Sequence, residues 1–151
     1  MNKKREKSMK FTTTIASIAI LAGTATADVF SDWNLVVRND LHITSEVDGS
    51  AMIGGSVFGT SNYAVQGVTS STGDGLVVGG NLGAGSNYQI NNGGNLRIAG
   101  NVNGNANLNG GGSTINDAGV PNMVNNAMNQ AASLSSYFAG FSSTGTVDGG
   151  G

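Results

Sequence analysis

The 151-residue chain has no cysteine, a single proline, a single histidine and few charged side chains. Without cysteine, neither a disulfide framework nor a thiolate metal site can form. Because His42 is the only histidine, a zinc site built from several histidines is excluded. Charged residues make up 11% of the chain, too few for the charge-rich type of disorder, and 25 glycines argue against a mainly helical protein. The sequence therefore predicts a folded chain without catalytic, cofactor-binding or metal-binding residues.

The basic residues that are present are concentrated at the N terminus. Five of them lie within the first ten positions, and the apolar stretch FTTTIASIAILAG follows. Ala25-Thr26-Ala27 has the small-x-small pattern of a cleavage site, so we predict a signal peptide over 1–27 and a domain over 28–151. The stretch that begins at Met9 is organised in the same way, so Met1 and Met9 both fit as the start. The apolar run is too short and too rich in threonine for a membrane span.

Removal of 1–27 leaves an acidic chain. Two basic residues, Arg38 and Arg97, remain against eight acidic ones, so the net charge falls to about −6 (2 − 8). Nucleic acids and anionic membranes are bound through basic patches, so we expect neither as a partner. The sequence predicts an exported protein, located at the cell surface or outside the cell, with no membrane insertion after cleavage.

The stretch over 88–109 alternates with a period of two. Apart from Tyr88 and Asn92, its even positions are small or aliphatic, whereas most odd positions are asparagine. Only a pleated strand alternates its side chains in this way, so the stretch is predicted to be folded β-structure. Glycine and asparagine also suit a chain that bends every few residues, because both tolerate left-handed backbone conformations.

An internal repeat indicates which β-structure this is. AMIGGSVFGTSNYAVQG (51–67) aligns with LVVGGNLGAGSNYQINNG (76–93), and a third block, LRIAGNV (96–102), follows. Gly54-Gly55 of the first block recurs as Gly79-Gly80 in the second, and Ala99-Gly100 takes the same place in the third. Spacings of this size, roughly 20 to 25 residues, fit one coil of a three-faced parallel β-helix, or β-solenoid. An antiparallel β-sandwich with glycine-rich hairpins is the alternative.

One segment, about 120–139, has a helical period instead. Six apolar residues fall on one face at helical spacing: Val124, Ala127, Met128, Ala131, Leu134 and Phe138. Pro121 suits the first turn and Gly140 suits the C-terminal end. We therefore predict an all-β fold with one amphipathic helix, which buries this stripe against the side of the solenoid.

The segment 33–67 resembles the opening of the choice-of-anchor A domain of exported bacterial surface proteins. The residues that carry the resemblance are Trp33-Asn34, Val36-Val37, Asp40-Leu41, Val47-Asp48-Gly49, Gly54-Gly55, Asn62-Tyr63 and Gly67. The stretch LSSYFAGF in the predicted helix also resembles a helix of this family. The resemblance implies a right-handed parallel β-helix flanked by a helix, similar to ice-binding-like adhesive domains. It also implies further strands and an anchor after the helix, where this sequence has only TGTVDGGG, so we expect a partial domain.

The predicted function is an adhesion-like or structural module without catalysis, outside the cell. Its expected partner is extracellular matrix, a carbohydrate or a component of the cell envelope. The candidate ligand face consists of Trp33, Tyr63, Tyr88, Asn101, Asn103, Asn105 and Asn107, although the three aromatic residues also fit the interior of a solenoid. Ice binding through a flat threonine face is one alternative, and a non-functional truncated remnant is another.

Cleavage after Ala27 is tested by the intact mass of the exported protein. Signal peptidase cuts after a small-x-small pattern, so the mass of the protein from the culture medium should match the segment 28–151. A mass that still includes the segment 1–27 would contradict the predicted cleavage. A larger product found only in the cell envelope would favour an anchored protein.

Overall fold

In the computed structural model, which describes residues 29–141, the chain forms a parallel β-solenoid of about five turns with a C-terminal helix. The predicted signal peptide therefore lies outside the described residues. In chain order the elements are α1 (Val29–Asp32), β1 (Leu35–Val37), β2 (Leu41–His42), β3 (Ala51–Ile53), β4 (Val57–Phe58), β5 (Ser61–Tyr63), β6 (Asp74–Val78), β7 (Asn87–Ile90), β8 (Asn95–Ile98), β9 (Asn105–Leu108), β10 (Thr114–Asn116) and α2 (Val120–Ala139).

The strands form three faces along the solenoid. Face A is the five-stranded sheet β1-β3-β6-β8-β10, and face C is the three-stranded sheet β5-β7-β9. Face B pairs β2 with β4 and continues through single bridges from Val57 to Leu82 and from Leu82 to Val102. Every strand pair in residues 29–141 is parallel. The parallel β-helix prediction is thereby confirmed, and the β-sandwich alternative is wrong because it requires antiparallel pairs.

The register of face A follows the predicted repeat. Ile53 pairs with Val78 on the next coil, and Val78 pairs in turn with Ile98. The coil from Ile53 to Val78 is the longer of the two because it contains the loop 65–73, which folds back onto α1. In this loop Thr69 donates a hydrogen bond to the backbone oxygen of Asp32 (2.9 Å), and Ser71 donates one to its carboxylate (2.6 Å). Coil length therefore varies where a loop has its own hydrogen-bond partners.

Glycine pairs mark the corner between faces A and B because neighbouring coils come into contact there. A Cβ added to Gly79 would overlap the carbonyl oxygen of Gly54, and one added to Gly100 would overlap that of Gly80. These glycines do not have left-handed backbone conformations, which occur instead at other corners such as Asn92-Gly93 (φ 54° and 75°). The close approach of two backbones, more than turn geometry, therefore requires glycine at this corner.

The core of the solenoid is a stack of inward-facing aliphatic side chains. It includes Ile53, Val57, Leu76, Val78, Leu82, Ile90, Leu96 and Ile98, all fully buried. Because every second strand residue points inward, the outward residues of face A need a separate cover. That cover is α2, whose Val120, Val124 and Ala127 pack with Met52 and Val77.

The helix has the predicted bounds, but only part of the predicted stripe is buried. Val124 and Ala127 are buried, whereas Phe138 is 58% exposed, so the expectation that the whole stripe packs on the solenoid is wrong. The reason is the position of the helix on face A. Val124 already lies next to Gly54 of the second coil, and Ala131 lines a groove together with Val36 of β1. Eight helical residues follow Ala131, so the last turns of α2 extend beyond the first coil.

Within residues 29–141, no helix combines the length and the apolar character that crossing a membrane requires.

Substitution of the buried column on face B tests the solenoid core. Leu82→Ala should lower the free energy of unfolding by about 2–5 kcal/mol, because it leaves a cavity in a fully buried site. Val102→Ala, one coil further along the same column and 40% exposed, should cost about 1 kcal/mol or less. Urea denaturation measures both values. Equal losses would contradict the placement of Val102 at the end of the stack.

Candidate functional site

Tyr63 and Tyr88 lie inside the solenoid and not on its surface. Both are fully buried in the core. The Tyr88 hydroxyl donates a hydrogen bond to the backbone oxygen of Val57 (2.8 Å) and accepts one from the amide of Gly83 (3.0 Å). The Tyr63 hydroxyl accepts a hydrogen bond from Ser61 (3.0 Å), and burial raises the pKa of Tyr63 to about 12. Neither ring can contact a ligand outside the solenoid, so their assignment to a ligand face is corrected and their alternative core position is confirmed.

Trp33 is half-buried on the helix side of the molecule. It packs against the cluster formed by α1, α2 and the outer surface of face A, together with Val29 and Met128. It lies ahead of β1, and no described contact joins it to the asparagines of β9. The predicted combination of Trp33 with the asparagines in one ligand face is therefore not observed.

The four predicted asparagines divide between two faces. Asn101 and Asn103 are exposed on either side of Val102 on face B, whereas Asn105 and Asn107 belong to β9 on face C. The chain bends at Gly104 between the two pairs. Alternation keeps all four side chains pointing away from the core, but the bend turns the two pairs in different directions. The prediction of one continuous asparagine face is wrong for this reason.

Face C carries a different and larger set of carboxamides, which we call the amide lattice. It consists of two rows on adjacent coils, Asn87, Gln89 and Asn91 in the first row and Asn105, Asn107 and Asn109 in the second. Asn87 lies opposite Asn105, and Gln89 lies opposite Asn107. Sequence reasoning missed the first row as a site. The sequence did contain a signal for it. The stretches 87–91 and 105–109 both carry amides at alternate positions, and they pair in a constant register on adjacent coils.

Hydrogen bonds between side chains fix the amide lattice. Asn107 donates from Nδ2 to Oδ1 of Asn87 (2.7 Å), and Gln89 donates from Nε2 to the same oxygen (3.1 Å). Asn109 donates to Oε1 of Gln89 (2.9 Å) and to Oδ1 of Asn91 (3.0 Å). Each carboxamide has two donor hydrogens and two acceptor lone pairs. These contacts therefore orient the amides and leave further donors and acceptors available to a ligand.

The lattice ends in a recess next to the loop that follows β5. This recess has a volume of about 510 Å³ and is lined by Asn62, Val65, Asn91, Asn92, Asn109 and Gly110. Asn92 is held by hydrogen bonds from its Nδ2 to the backbone oxygens of Ala64 (2.7 Å) and Val65 (3.1 Å). No charged side chain lines this recess, so its polar character comes from neutral amides.

Three of the charged residues form a structural cluster on face A. Arg97 binds Asp74 through Nε (2.9 Å) and Asp117 through a terminal guanidinium nitrogen (3.1 Å). Asp74 is fully buried, and Thr72 donates a second hydrogen bond to its Oδ2 (2.6 Å). The hydrogen bond to Asp74, more than any other contact, raises the pKa of Arg97. The cluster connects β6 and β8 to the start of α2, which is a structural role.

Two further observations describe the chemistry that the described residues offer. Between residues 29 and 141, no group of three or more histidine, aspartate or glutamate side chains lies close enough together to hold a metal ion. Of the three carboxylates nearest in sequence, Asp40 and Asp48 lie outside the strands of the first coil, whereas Glu46 pairs with Asn62 through a single bridge. Asp40 accepts a hydrogen bond from the amide of Ser56 (2.7 Å). The prominent surface chemistry of face C is thus neutral hydrogen bonding.

Residues 26–151 match the family model described as Putative Ice-binding-like adhesive domain, so the chain belongs to this family. The match covers most of the chain and every residue that the structure describes, and it confirms the resemblance to ice-binding-like adhesive domains. The narrower name, choice-of-anchor A, stays a prediction. No curated protein and no solved structure matches the chain.

The pKa of Asp117 generates a prediction about acid stability. A hydrogen bond from the Gly119 amide, and secondly the contact with Arg97, hold this pKa below its ordinary value of 3.8. The carboxylate therefore stabilises the fold fully above about pH 4, and this contribution is lost as the pH falls through the lower folded-state pKa. The difference in free energy of unfolding between wild type and Asp117→Asn should shrink from about pH 6 to about pH 2.5 in urea titrations. A difference that stays constant over this range would contradict the assignment.

Proposed function

Because the chain belongs to the family of ice-binding-like adhesive domains, we propose that it is an exported adhesion module that binds neutral polyhydroxylated surfaces through the amide lattice of face C. The proposed ligand class is carbohydrate, in the extracellular matrix or in a cell envelope. The module acts by binding alone, without catalysis. The proposed location is outside the cell, after removal of the segment 1–27.

The observation that carries the proposal is the hydrogen-bonded order of the six lattice amides. Adjacent parallel strands are about 4.8 Å apart, and alternate residues along one strand are about 6.6 Å apart, so the amides form a flat, regular array. A carboxamide offers a donor and an acceptor side by side, as a pair of sugar hydroxyls does. The mutual hydrogen bonds hold the amides in place before binding, which reduces the entropy lost when a ligand is bound.

The charge distribution favours a neutral ligand over an anionic one. Of the two arginines in the described residues, Arg97 is bound to Asp74 and Asp117 on face A, and Arg38 directly follows β1. Face C therefore has no basic side chain in its described strands. On the first coil Glu46 pairs with Asn62, so it lies at the edge of face C. Its carboxylate would repel an anionic polymer. We therefore expect binding to neutral glycans.

Ice binding is the second candidate, favoured by the family description. Thr44 and Thr60 lie side by side on the first two coils, but Asn87 takes the next position. Among the described residues the threonines therefore form no longer column, and the flat face that ice binding requires would have to come from the amides. Thr60 directly precedes β5, whereas Thr69 and Thr72 lie in the loop between β5 and β6. A freezing assay for thermal hysteresis separates this candidate from carbohydrate binding.

Adhesion is tested by co-sedimentation of the purified protein with cellulose and chitin, and with alginate as an anionic polysaccharide. We expect binding to a neutral polymer, and the double variant Asn87→Ala/Asn107→Ala should reduce this binding at least about tenfold. Each lost bidentate amide contact is worth about 1 kcal/mol, which is a factor of about five. Far-UV circular dichroism should show that both proteins have the same fold.

The matched control is Asn125→Ala/Asn129→Ala, which removes two exposed amides from α2 on the opposite side of the molecule. It should bind as the wild type does. Equal losses in the two double variants would contradict a role of face C, as would a preference for alginate. If the wild type shows thermal hysteresis and only the lattice variant loses it, face C binds ice instead of carbohydrate.

A further inference from the structure

The end of α2 that extends beyond the first coil is apolar and exposed. Its aromatic side chains, Tyr137, Phe138 and the adjoining Phe141, are 64%, 58% and 58% exposed. The three rings contact one another, with centroids 4.8 Å apart for Tyr137 and Phe141. At about 200 Å² for each ring, roughly 350–400 Å² of contiguous aromatic surface is in contact with water. Patches of this size on soluble proteins mark interaction sites.

The position of this surface limits what can cover it. Leu134 and Phe138 continue the spacing of Val124, Ala127 and Ala131, so they lie on the side of α2 that faces the solenoid. Beyond β1, however, the described residues contain no further coil. A second molecule that lies next to the outer edge of β1, as a continuation of face A, can cover Leu134 and Phe138.

A groove of matching character lies beside the start of the exposed segment. It has a volume of about 290 Å³ and runs between α1 and α2. Val36 of β1 lies at its base, Val29 and Trp33 form one side, and Ala127, Met128 and Ala131 of α2 are among the residues that line it. The groove and the aromatic surface thus occur on the same end of the same molecule.

We propose that this end of the molecule binds a second copy of the chain, related by a twofold axis at the outer edge of β1. Eight helical residues, about 12 Å of helix, follow Ala131, which lines the groove together with Val36 of β1. Each aromatic end can therefore cross the axis and lie in the groove between α1 and α2 of the other copy. A twofold axis makes the two contacts identical, so one arrangement covers both exposed surfaces of both copies.

The area supports a second copy as the occupant. Each aromatic end covers an equal area of the opposite groove. Two symmetric contacts therefore bury roughly 1,400–1,600 Å² in total, counting both copies. Stable, specific protein interfaces bury about 1,600 Å². Neither contact alone would reach this size, whereas the symmetric pair does.

The charges support the same occupant. After removal of 1–27 the net charge is about −6 (2 − 8). Two copies of the chain therefore repel each other in general. The whole of α2, Val120–Ala139, contains no charged residue, so two copies can approach there without direct repulsion. The absence of lysine and arginine from α2 also disfavours a lipid surface, because helices that lie on membranes are rich in both on their polar face.

Sedimentation equilibrium of the purified exported protein, residues 28–151, over a range from low to high micromolar concentration tests the proposal. We expect a concentration-dependent species with twice the chain mass. Phe138→Ser/Phe141→Ser should raise the dimer dissociation constant at least about 100-fold, since it removes two rings from each of two contacts. Both rings are exposed in the single chain, so circular dichroism should report an unchanged fold. Val102→Ser, which removes exposed apolar surface at the opposite end of the solenoid, is the matched control and should still dimerise.

Cysteine cross-linking tests the geometry, because the chain has no cysteine of its own. Leu134 lies midway between Ala131 of the groove and Phe138 of the aromatic end, so Leu134→Cys lies close to the proposed axis and should form a disulfide-linked dimer on oxidation. Asn125→Cys lies about 14 Å further along the same helix, too far to reach its copy, and should remain uncross-linked.

Three results would overturn the proposal. The first is a monomer over the whole concentration range. The second is a dimer that survives Phe138→Ser/Phe141→Ser and is lost in Val102→Ser. The third is binding of the monomer to phosphatidylcholine vesicles through the same two phenylalanines, which would identify lipid and not a second copy as the occupant.

Discussion

Hydrogen bonding between coils about 4.8 Å apart is the constraint on which the rest of the structure depends. Each coil must lie flat on the previous one at every strand, as the parallel pairs from β1 to β10 do. At the corner between faces A and B this leaves no room for a side chain, so Gly54 and Gly79 are stacked there. In the interior the same spacing brings aliphatic residues of successive coils into contact, and this packing supplies the core without any disulfide.

The same spacing also creates the surface features. Stacked coils place Gln89 above Asn107 and Asn87 above Asn105, which converts polar residues that are distant in sequence into an ordered amide array. It also fixes where face A ends, at β1, and α2 continues past this edge for eight residues after Ala131. The exposed aromatic end of α2 follows from this position. A self-associating end and a ligand-binding side would together give a module with two binding faces, so weak contacts to a polymer could add up.

The proposed function and the fold depend on different residues in this protein. Tyr63, Tyr88 and the ion pairs of Arg97 stabilise the solenoid and its helix, although aromatic and charged residues are the usual first candidates for a binding site. The proposed binding chemistry comes from neutral amides. Such a surface suits adhesion, in which many weak and reversible hydrogen bonds act together.

The sequence by itself determined the features that depend on local order. Alternation over 88–109 predicted which side chains point inward, the repeated glycine-containing blocks predicted the pairing of Ile53, Val78 and Ile98, and the helical stripe predicted the bounds of α2. Only the tertiary structure decided which outward residues share a face. That choice depends on where the chain bends and on how long each coil is, so Asn101 and Asn105 are separated while Asn87 and Asn105 become neighbours. It also decided how far α2 is covered, because the number of coils sets the height of the solenoid independently of the helix.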